Sequence, residues 1–346
     1  MSATLKFIYA TIMLFAVFIV IGGKFPAFGR MFVAEEAVEY AVGDQYRMCE
    51  LERFREEIPV TKPVATAPLE EADILTLGDS FFNTSLASDL FANELARKGG
   101  LKVHHLQSAN FFEPQSYPLS YLESIGYRKG RRRILILESV ERNVLDRSIT
   151  YNSAGASSRS GLNALAFKVL KNNDVEYFFK NNVIIHPLGR WLKNFRFTYL
   201  NIVDKSIGSY SMQPDMLFYQ RDIEFSRLKK TDSMLDSTAD NIARLASTLK
   251  ERYNIDLIYL VIPNKYSIYH SFVNDGYSYD GFVPRLSRNL TTRSVKNIDG
   301  YALYSRYNKP GMPLLYFSSD THYTAYGKLL LVNACAEMLK TACKGN

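Results

Sequence analysis

One serine stands in a context suited to acyl chemistry. Ser80 lies in the string Leu77-Gly-Asp-Ser-Phe81, which follows an apolar stretch typical of a strand and precedes a segment typical of a helix. At a strand-to-helix turn the serine Oγ projects above the sheet edge, and its own N–H can stabilise a developing oxyanion. Because Asp and Ser are also good helix caps, the string alone is equally compatible with a purely structural turn.

A histidine and an aspartate near the C-terminus could activate that serine. A serine nucleophile needs a base, and the base needs a carboxylate that orients it. Asp320 and His322 lie two residues apart, just before the last predicted helix, and none of the other four histidines has an aspartate at this spacing. We therefore predict that Asp320 binds one imidazole nitrogen while the other faces Ser80. The alternative is a structural histidine at a helix N-terminus.

Strands and helices alternate along the chain in the pattern of an α/β protein with a parallel sheet and helices on both faces. Since ligands gather at the C-terminal ends of parallel strands, Lys265 and Tyr266, which follow a central strand, are predicted to face the pocket. The predicted strands are residues 73–77, 101–107, 133–138 and 255–262, and the predicted helices are residues 85–98, 238–253 and 326–340.

The remaining segments predict a modular arrangement around this domain. The uncharged run Phe7–Ile21 favours an uncleaved signal anchor, although its fifteen residues are fewer than the roughly 20 of a full span. Three prolines between Pro59 and Pro68 exclude a helix and predict an extended linker. The predicted organisation is a signal anchor over 1–24, a stalk and linker over 25–69, and the α/β domain over 70–346, with an insertion over 151–230 that forms a lid or a glycan-binding surface.

The composition narrows the class of partner. The chain has 346 residues, 47% of them hydrophobic, and a formal net charge of +7. A basic balance suits nucleic acid, anionic lipid or an acidic polymer. The sequence contains no zinc-finger spacing, RNP-like string or basic recognition helix, so we expect no nucleic-acid partner. The basic string Arg128–Arg133 either contacts an anionic lipid or polymer, or is a solvated loop.

Several short strings resemble one known superfamily. Gly78-Asp-Ser80 and Asp320-Thr-His322 resemble the first and last motif blocks of SGNH hydrolases. Glu138-Ser-Val-Glu-Arg-Asn143 and Pro263-Asn-Lys-Tyr-Ser-Ile-Tyr269 are similar to segments of the alginate O-acetyltransferase-like, DHHW-type group. The order of the motifs, with Asp-x-His last, also resembles that of the membrane-anchored SGNH protein of teichoic-acid D-alanylation. This sequence departs from the group in having Tyr323 where a Trp is usual, and it has no Gly-x-Asn-Asp string.

The resemblance implies a flavodoxin-like SGNH three-layer α/β/α domain, with a parallel sheet, an N-terminal membrane helix and a mid-chain insertion. It implies Ser80, Asp320 and His322 as the catalytic residues. Oxyanion or supporting roles fall to Ala109 and Asn110 after the second strand and to Arg142 and Asn143, while Glu141 and Arg142 could form a buried ion pair. Substrate contacts fall to Lys265, Tyr266 and Tyr323. No metal ion or other cofactor is expected.

The function expected from these residues and this resemblance is O-acyl transfer, most simply O-acetyl transfer, to a cell-envelope or exported polysaccharide through an acyl-serine. Because acyl-coenzyme A stays in the cytoplasm, the resemblance implies a membrane-bound O-acyltransferase as the acyl donor. The catalytic domain is expected on the periplasmic or extracellular side of the cytoplasmic membrane. The alternatives are an SGNH carbohydrate esterase and a non-catalytic glycan-binding scaffold.

Overall fold

The computed structural model describes residues 3–24, 40–41, 51–56, 58–107, 113–153 and 185–343. The chain forms two compact units, one of Met1–Val38 with Arg159–Val203 and the other of Glu39–Ser158 with Asp204–Asn346. The second unit carries the α/β fold and the candidate site. Of the predicted insertion, residues 154–184 lie outside the described residues.

The described residues contain twelve helices and nine strands. The helices are α1 (Ala3–Lys24), α2 (Ser80–Asn83), α3 (Phe91–Gly99), α4 (Pro118–Ser124), α5 (Val144–Thr150), α6 (Ile185–Leu200), α7 (Gln220–Arg227), α8 (Asp232–Tyr253), α9 (Lys265–Tyr269), α10 (Phe282–Thr292), α11 (Gly300–Tyr307) and α12 (Ala325–Cys343). The strands are β1 (Tyr40–Ala41), β2 (Ile58–Pro59), β3 (Ile74–Leu77), β4 (Val103–His105), β5 (Arg133–Val140), β6 (Ile207–Met212), β7 (Asp215–Tyr219), β8 (Ile255–Ile262) and β9 (Lys296–Asp299).

Five of the strands form one parallel sheet in the order β4-β3-β5-β8-β9. Numbered along the chain within this sheet, the order is 2-1-3-4-5, which is that of the flavodoxin-like doubly wound fold. The prediction of a parallel α/β sheet of flavodoxin-like type is therefore confirmed. In this topology the C-terminal ends of β3, β5 and β8 meet at one edge, where the segments carrying Ser80, Glu141 and Lys265 begin.

Each face of the sheet packs against its own hydrophobic core, which makes the domain three-layered. Successive side chains of a strand point to opposite faces, so Ile136 and Ile258 lie in one core while Leu135 and Leu257 lie in the other. Helices α3 and α12 cover the first face, and α4, α8 and α10 cover the second. The near-continuous apolar sequences of β5 and β8 are explained by this burial on both sides.

Part of the predicted insertion belongs to the α/β unit. The hairpin β6-β7 and helix α7 follow residue 203 and lie in the second unit. The hairpin residues Met216, Leu217 and Phe218 are fully buried, and the Leu217 N–H donates to the Ser318 carbonyl at 2.9 Å. Strand β7 therefore packs beside the Asp-His segment.

The segment predicted as a stalk and linker also packs against the domain over part of its length. Leu51, Phe54 and Ile58 are buried. Phe54 lies edge-on to Tyr210 of the hairpin, with ring centroids 6.1 Å apart. The three prolines exclude a helix here as expected, but the extended chain between them lies on the surface of the fold.

Helix α1 carries the N-terminal apolar run. Its side chains are largely exposed, with Phe7 at 73%, Tyr9 at 64% and Leu14 at 71%. None of the helices that the structure describes combines the length and apolar composition needed to cross a membrane. The predicted transmembrane helix over residues 1–24 is therefore not supported.

Candidate active site

Ser80 is the first residue of the short helix α2, directly after β3. Asp79 caps this helix, and its Oδ1 accepts from the Phe81 N–H at 3.1 Å. A side chain at Gly78 has no room, because a Cβ would lie 2.5 Å from Glu138 Oε2 and 2.9 Å from Phe82 Cγ. The Gly-Asp-Ser string therefore forms the strand-to-helix turn that the sequence predicted.

His322 lies between Ser80 and Asp320 and is hydrogen-bonded to both. Its Nε2 is 2.8 Å from Ser80 Oγ, and its Nδ1 is 2.5 Å from Asp320 Oδ1. The same carboxylate oxygen accepts from the His322 N–H at 2.7 Å. Asp320 and His322 are buried, whereas Ser80 is half-buried. The geometry is that of a serine, a base and an orienting carboxylate in sequence.

The charge of Asp320 fixes the orientation of the imidazole. Burial alone would raise the pKa of Asp320, but His322 and its two hydrogen bonds to the carboxylate hold that pKa below the usual value. An ionised carboxylate can only accept, so the proton of the neutral imidazole lies on Nδ1. Nε2 is then the acceptor that faces Ser80 Oγ, which is the arrangement that general-base catalysis requires.

Lys265 holds the loop that carries Asp320. Its Nζ donates to three backbone carbonyl oxygens, those of Phe317 (2.6 Å), Ser318 (2.8 Å) and Asp320 (3.1 Å). The side chain is buried, and this burial lowers the pKa of Lys265 to about 7. The negative charge of Asp320 acts in the other direction and raises this pKa, but its effect is smaller. The predicted substrate contact by Lys265 is therefore corrected, because all three donors of the ammonium point to carbonyls of the loop.

A glutamate from the predicted linker binds backbone N–H groups of the same loop. Glu56 Oε2 accepts from the backbone N–H groups of Ser318 at 2.8 Å and Ser319 at 3.3 Å. The loop therefore has its carbonyls bound by a lysine and two of its amides bound by a carboxylate. Nothing in the sequence pattern indicated Glu56, since it lies more than 260 residues before its partners.

A buried charged network lies beneath the serine turn. Arg147 Nη1 is 3.0 Å from Asp79 Oδ2, and the Asp79 N–H donates to Glu138 Oε2 at 2.8 Å. Burial would raise the pKa of Asp79, but the charge of Arg147 and the Phe81 N–H keep it lowered. Burial and the charge of Asp79 raise the pKa of Glu138 well above its usual value. The two shifts run in opposite directions, so the network favours the negative charge on Asp79 over one on Glu138.

Arg142 braces the end of β5. Its Nη1 is 2.9 Å from Asp222 Oδ1, and its guanidinium lies over the Tyr219 ring, 5.5 Å from the centroid. The predicted ion pair between Glu141 and Arg142 is therefore wrong, because neighbouring side chains in a helical turn do not face each other. Glu141 Oε2 instead accepts from the Asn264 N–H at 2.8 Å, which ties the end of β5 to the end of β8.

The other predicted oxyanion residues fall at different places. Ala109 and Asn110 lie outside the described residues. Asn143 is half-buried and precedes α5. Together with Arg147, Arg221 and Tyr117 it lines a polar cavity of about 240 Å³. Asn143 therefore shares a cavity with Arg147, which pairs with Asp79.

The two tyrosines predicted to contact substrate are buried and bonded within the protein. Tyr266 donates its hydroxyl to Asp275 Oδ2 at 2.5 Å, and Tyr323 donates to the Phe81 carbonyl. The Tyr323 ring also lies edge-on to Phe81, with centroids 5.2 Å apart. Neither side chain has exposed surface, so the prediction that Tyr266 and Tyr323 contact substrate is corrected. Tyr323 instead ties the Asp-His segment to the serine helix.

Removal of the Lys265 ammonium should disturb the Asp320–His322 segment. In Lys265→Met three carbonyls lose a common donor, so we expect a loss of roughly 2–3 kcal/mol in the free energy of unfolding. We also expect at least a tenfold slower acylation of Ser80 by 4-nitrophenyl acetate. Lys230→Met is the matched control, because Lys230 is equally buried but donates to the Ser226 carbonyl and pairs with Asp280. Equal acylation rates in the two variants would contradict the positioning role.

Glu141 should make stability depend on pH. Burial raises its pKa from the ordinary value of 4.5 to about 7. A carboxyl group whose pKa is raised on folding stabilises the protein fully below the unfolded pKa, and this contribution is lost as the pH rises through the folded pKa. Between about pH 4.5 and 7, wild type should therefore lose stability relative to Glu141→Gln, by on the order of 3 kcal/mol. Parallel stability profiles of the two proteins from chemical denaturation would exclude this titration.

Comparison with known proteins supports the fold of the C-terminal part. No curated protein and no solved structure matches the chain. A family model described as "SGNH hydrolase-like domain, acetyltransferase AlgX" matches residues 213–345. The matched residues include Lys265, Asp320 and His322. Ser80 lies before the matched range and contacts it through the hydrogen bond to His322. The match confirms the predicted resemblance: residues 213–345 are similar to the SGNH hydrolase-like domain of acetyltransferase AlgX.

Proposed function

We propose that this protein is a serine O-acyltransferase that works through an acyl-Ser80 intermediate. The observation that carries the proposal is the continuous hydrogen-bonded series from Ser80 Oγ through His322 to Asp320, with distances of 2.8 and 2.5 Å. The similarity of residues 213–345 to an acetyltransferase domain supports acetyl as the transferred group.

In the first half-reaction Ser80 Oγ attacks the carbonyl carbon of the acyl donor. His322 Nε2 takes the hydroxyl proton, and the ionised Asp320 stabilises the imidazolium that forms. The Ser80 N–H, at the first position of α2, is placed to donate to the oxyanion, since the first N–H groups of a helix have no partner within it. Collapse of the tetrahedral intermediate expels the donor's leaving group, which receives the proton from His322, and leaves an acyl ester on Ser80.

In the second half-reaction His322 acts as the base toward the hydroxyl group of an acceptor. His322 takes the proton of the acceptor, the resulting alkoxide attacks the acyl-serine, and Ser80 recovers its proton from His322 as the ester bond breaks. We propose a polysaccharide of the cell envelope as acceptor. For a donor we propose a membrane-bound O-acyltransferase, because a site on the periplasmic or extracellular side has no acyl-coenzyme A.

Attachment to the cytoplasmic membrane through the N-terminal segment is part of the proposal. The exposed apolar side chains of α1 support it, since contiguous apolar surface of this kind marks sites of association. Extraction of the protein from a membrane fraction by detergent but not by salt is the expected behaviour. Release by salt alone would contradict apolar attachment.

Esterase activity uses the same three residues with water as the acceptor. Ser80 is half-buried, so water can reach the acyl-enzyme, and the acceptor that arrives first decides the outcome. A glycan-binding scaffold without catalysis is the remaining alternative. In a scaffold the hydrogen bond between His322 and Ser80 would have no chemical use.

Intact-mass spectrometry after reaction with 4-nitrophenyl acetate tests the proposal. We expect one acetyl adduct per chain, located on Ser80 and absent from Ser80→Ala, which clears faster when a suitable polysaccharide is added. Ser85→Ala is the matched control and should acylate like wild type. An adduct that clears equally fast in buffer would identify an esterase. Equal labelling of wild type and Ser80→Ala would refute the nucleophile.

A further inference from the structure

Helix α6 has an unusual distribution of apolar side chains. Its most buried described side chain is Phe197, which is 9% exposed, whereas the large apolar residues on its other side face outward. The outward residues, which we call the α6 apolar face, are Leu188 (63% exposed), Trp191 (61%), Leu192 (49%), Phe195 (41%) and Tyr199 (73%). A surface helix of a soluble protein normally turns such a stripe toward its core.

The spacing of these residues makes the α6 apolar face continuous. They occupy positions separated by one, three or four residues, which at 3.6 residues per turn confines them to an arc of about 100°. The Trp191 and Phe195 rings stack with centroids 5.6 Å apart, and the Phe195 and Tyr199 rings follow at 4.9 Å. The face is therefore one apolar strip along the helix, and large exposed strips mark sites of association.

The charge of α6 indicates what covers the strip. Between Ile185 and Leu200 the helix carries Arg190, Lys193 and Arg196 and no acidic residue. Arg196 is exposed and lies beside Leu192 and Tyr199 on the helix surface. Arg190 and Lys193 lie on the same side of the helix as Phe197, so α6 combines a strip of Trp, Phe and Leu with basic residues on its remaining surface. This combination is typical of helices that lie in the interface of an anionic lipid surface.

A glycan is a poorer match to this strip. Sugars stack on the open faces of aromatic rings and need polar side chains around them. Trp191 and Phe195 instead cover part of each other's ring faces, with an angle of only 25° between their planes. Leu188 and Leu192 add aliphatic surface that offers a sugar no hydrogen bond, whereas acyl chains require none.

We propose that α6 is an interfacial membrane-binding helix, whose α6 apolar face enters the boundary between headgroups and acyl chains of an anionic lipid bilayer. Trp191 and Tyr199 suit this depth, because their rings are apolar with one polar edge. The helix lies in the plane of the membrane and does not span it. The α6 apolar face and Ser80 belong to different units of the chain, and the acyl-transfer chemistry uses no residue of α6, so failure of this proposal would leave the proposed acyl transfer intact.

The chain supplies its own probe for this surface, since Trp191 is its single tryptophan. Full-length protein is mixed with vesicles of phosphatidylglycerol, with vesicles of phosphatidylcholine, or with a soluble anionic polysaccharide. We expect Trp191 emission to move to shorter wavelength with the anionic vesicles, and to be quenched when their acyl chains carry bromine. The shift should be weaker with phosphatidylcholine, because these vesicles carry no net charge to attract the basic helix.

Matched double variants assign the effect to α6. In Leu192→Glu with Phe195→Glu we expect partitioning measured by the Trp191 shift to weaken at least a hundredfold. Val64→Glu with Leu228→Glu makes the same charge change at exposed apolar positions of the α/β unit and should bind like wild type. Acetylation of Ser80 by 4-nitrophenyl acetate should be unchanged in both, which shows that the α/β unit is folded, and unchanged far-ultraviolet circular dichroism would show that α6 is retained.

Three results would overturn the proposal. The first is co-sedimentation of the protein with vesicles while Trp191 emission stays unchanged, which would assign binding to α1 alone. The second is a Trp191 shift with the polysaccharide and none with vesicles, which would make the strip a glycan platform. The third is an undiminished shift in Leu192→Glu with Phe195→Glu.

Discussion

The chemistry proposed for Ser80 depends on one buried carboxylate, that of Asp320. An ionised group in the protein interior is costly unless hydrogen bonds and a partner stabilise it. Here the His322 backbone N–H and Nδ1 both donate to the same oxygen, and Lys265 brings a positive charge to the carbonyl side of the loop. Because the carboxylate stays ionised, the imidazole proton remains on Nδ1, and the base stays ready to take the proton of Ser80.

The rest of the fold brings two distant parts of the chain to that carboxylate. Ser80 and His322 are 242 residues apart, and the parallel sheet places their segments at the same edge. Two buried lysines stabilise the two segments in the same way, by donating to backbone carbonyl oxygens. Lys265 binds carbonyls of the Asp-His loop, and Lys328 binds those of Thr84, Ser88 and Asp89 after the serine helix. In each case one buried ammonium stabilises a loop conformation by donating to several backbone carbonyl oxygens.

Sequence reasoning succeeded where composition and spacing carry the information, as in strand β8, predicted and found at residues 255–262, and in the pairing of Asp320 with His322. It failed where the role of a residue depends on the orientation of its side chain or on a partner far away in the sequence. Lys265 follows a strand end as expected, but only the folded loop reveals that its side chain turns inward to carbonyls. Strand β9 was missed because Ile298 is its single buried residue. Glu56 and Arg147 gave no signal, since each acts through a partner far away in sequence.

The most direct test of the central claim is the rate at which a fluorophosphonate labels Ser80 in wild type and in Asp320→Asn. An amide can still accept from the His322 N–H, but its NH₂ group would force the imidazole proton onto Nε2, where it blocks proton uptake from Ser80. We predict one label per chain on Ser80, with labelling of the folded variant slower by on the order of 10³- to 10⁴-fold. Equal labelling rates in the two proteins would show that Asp320 does not orient the base.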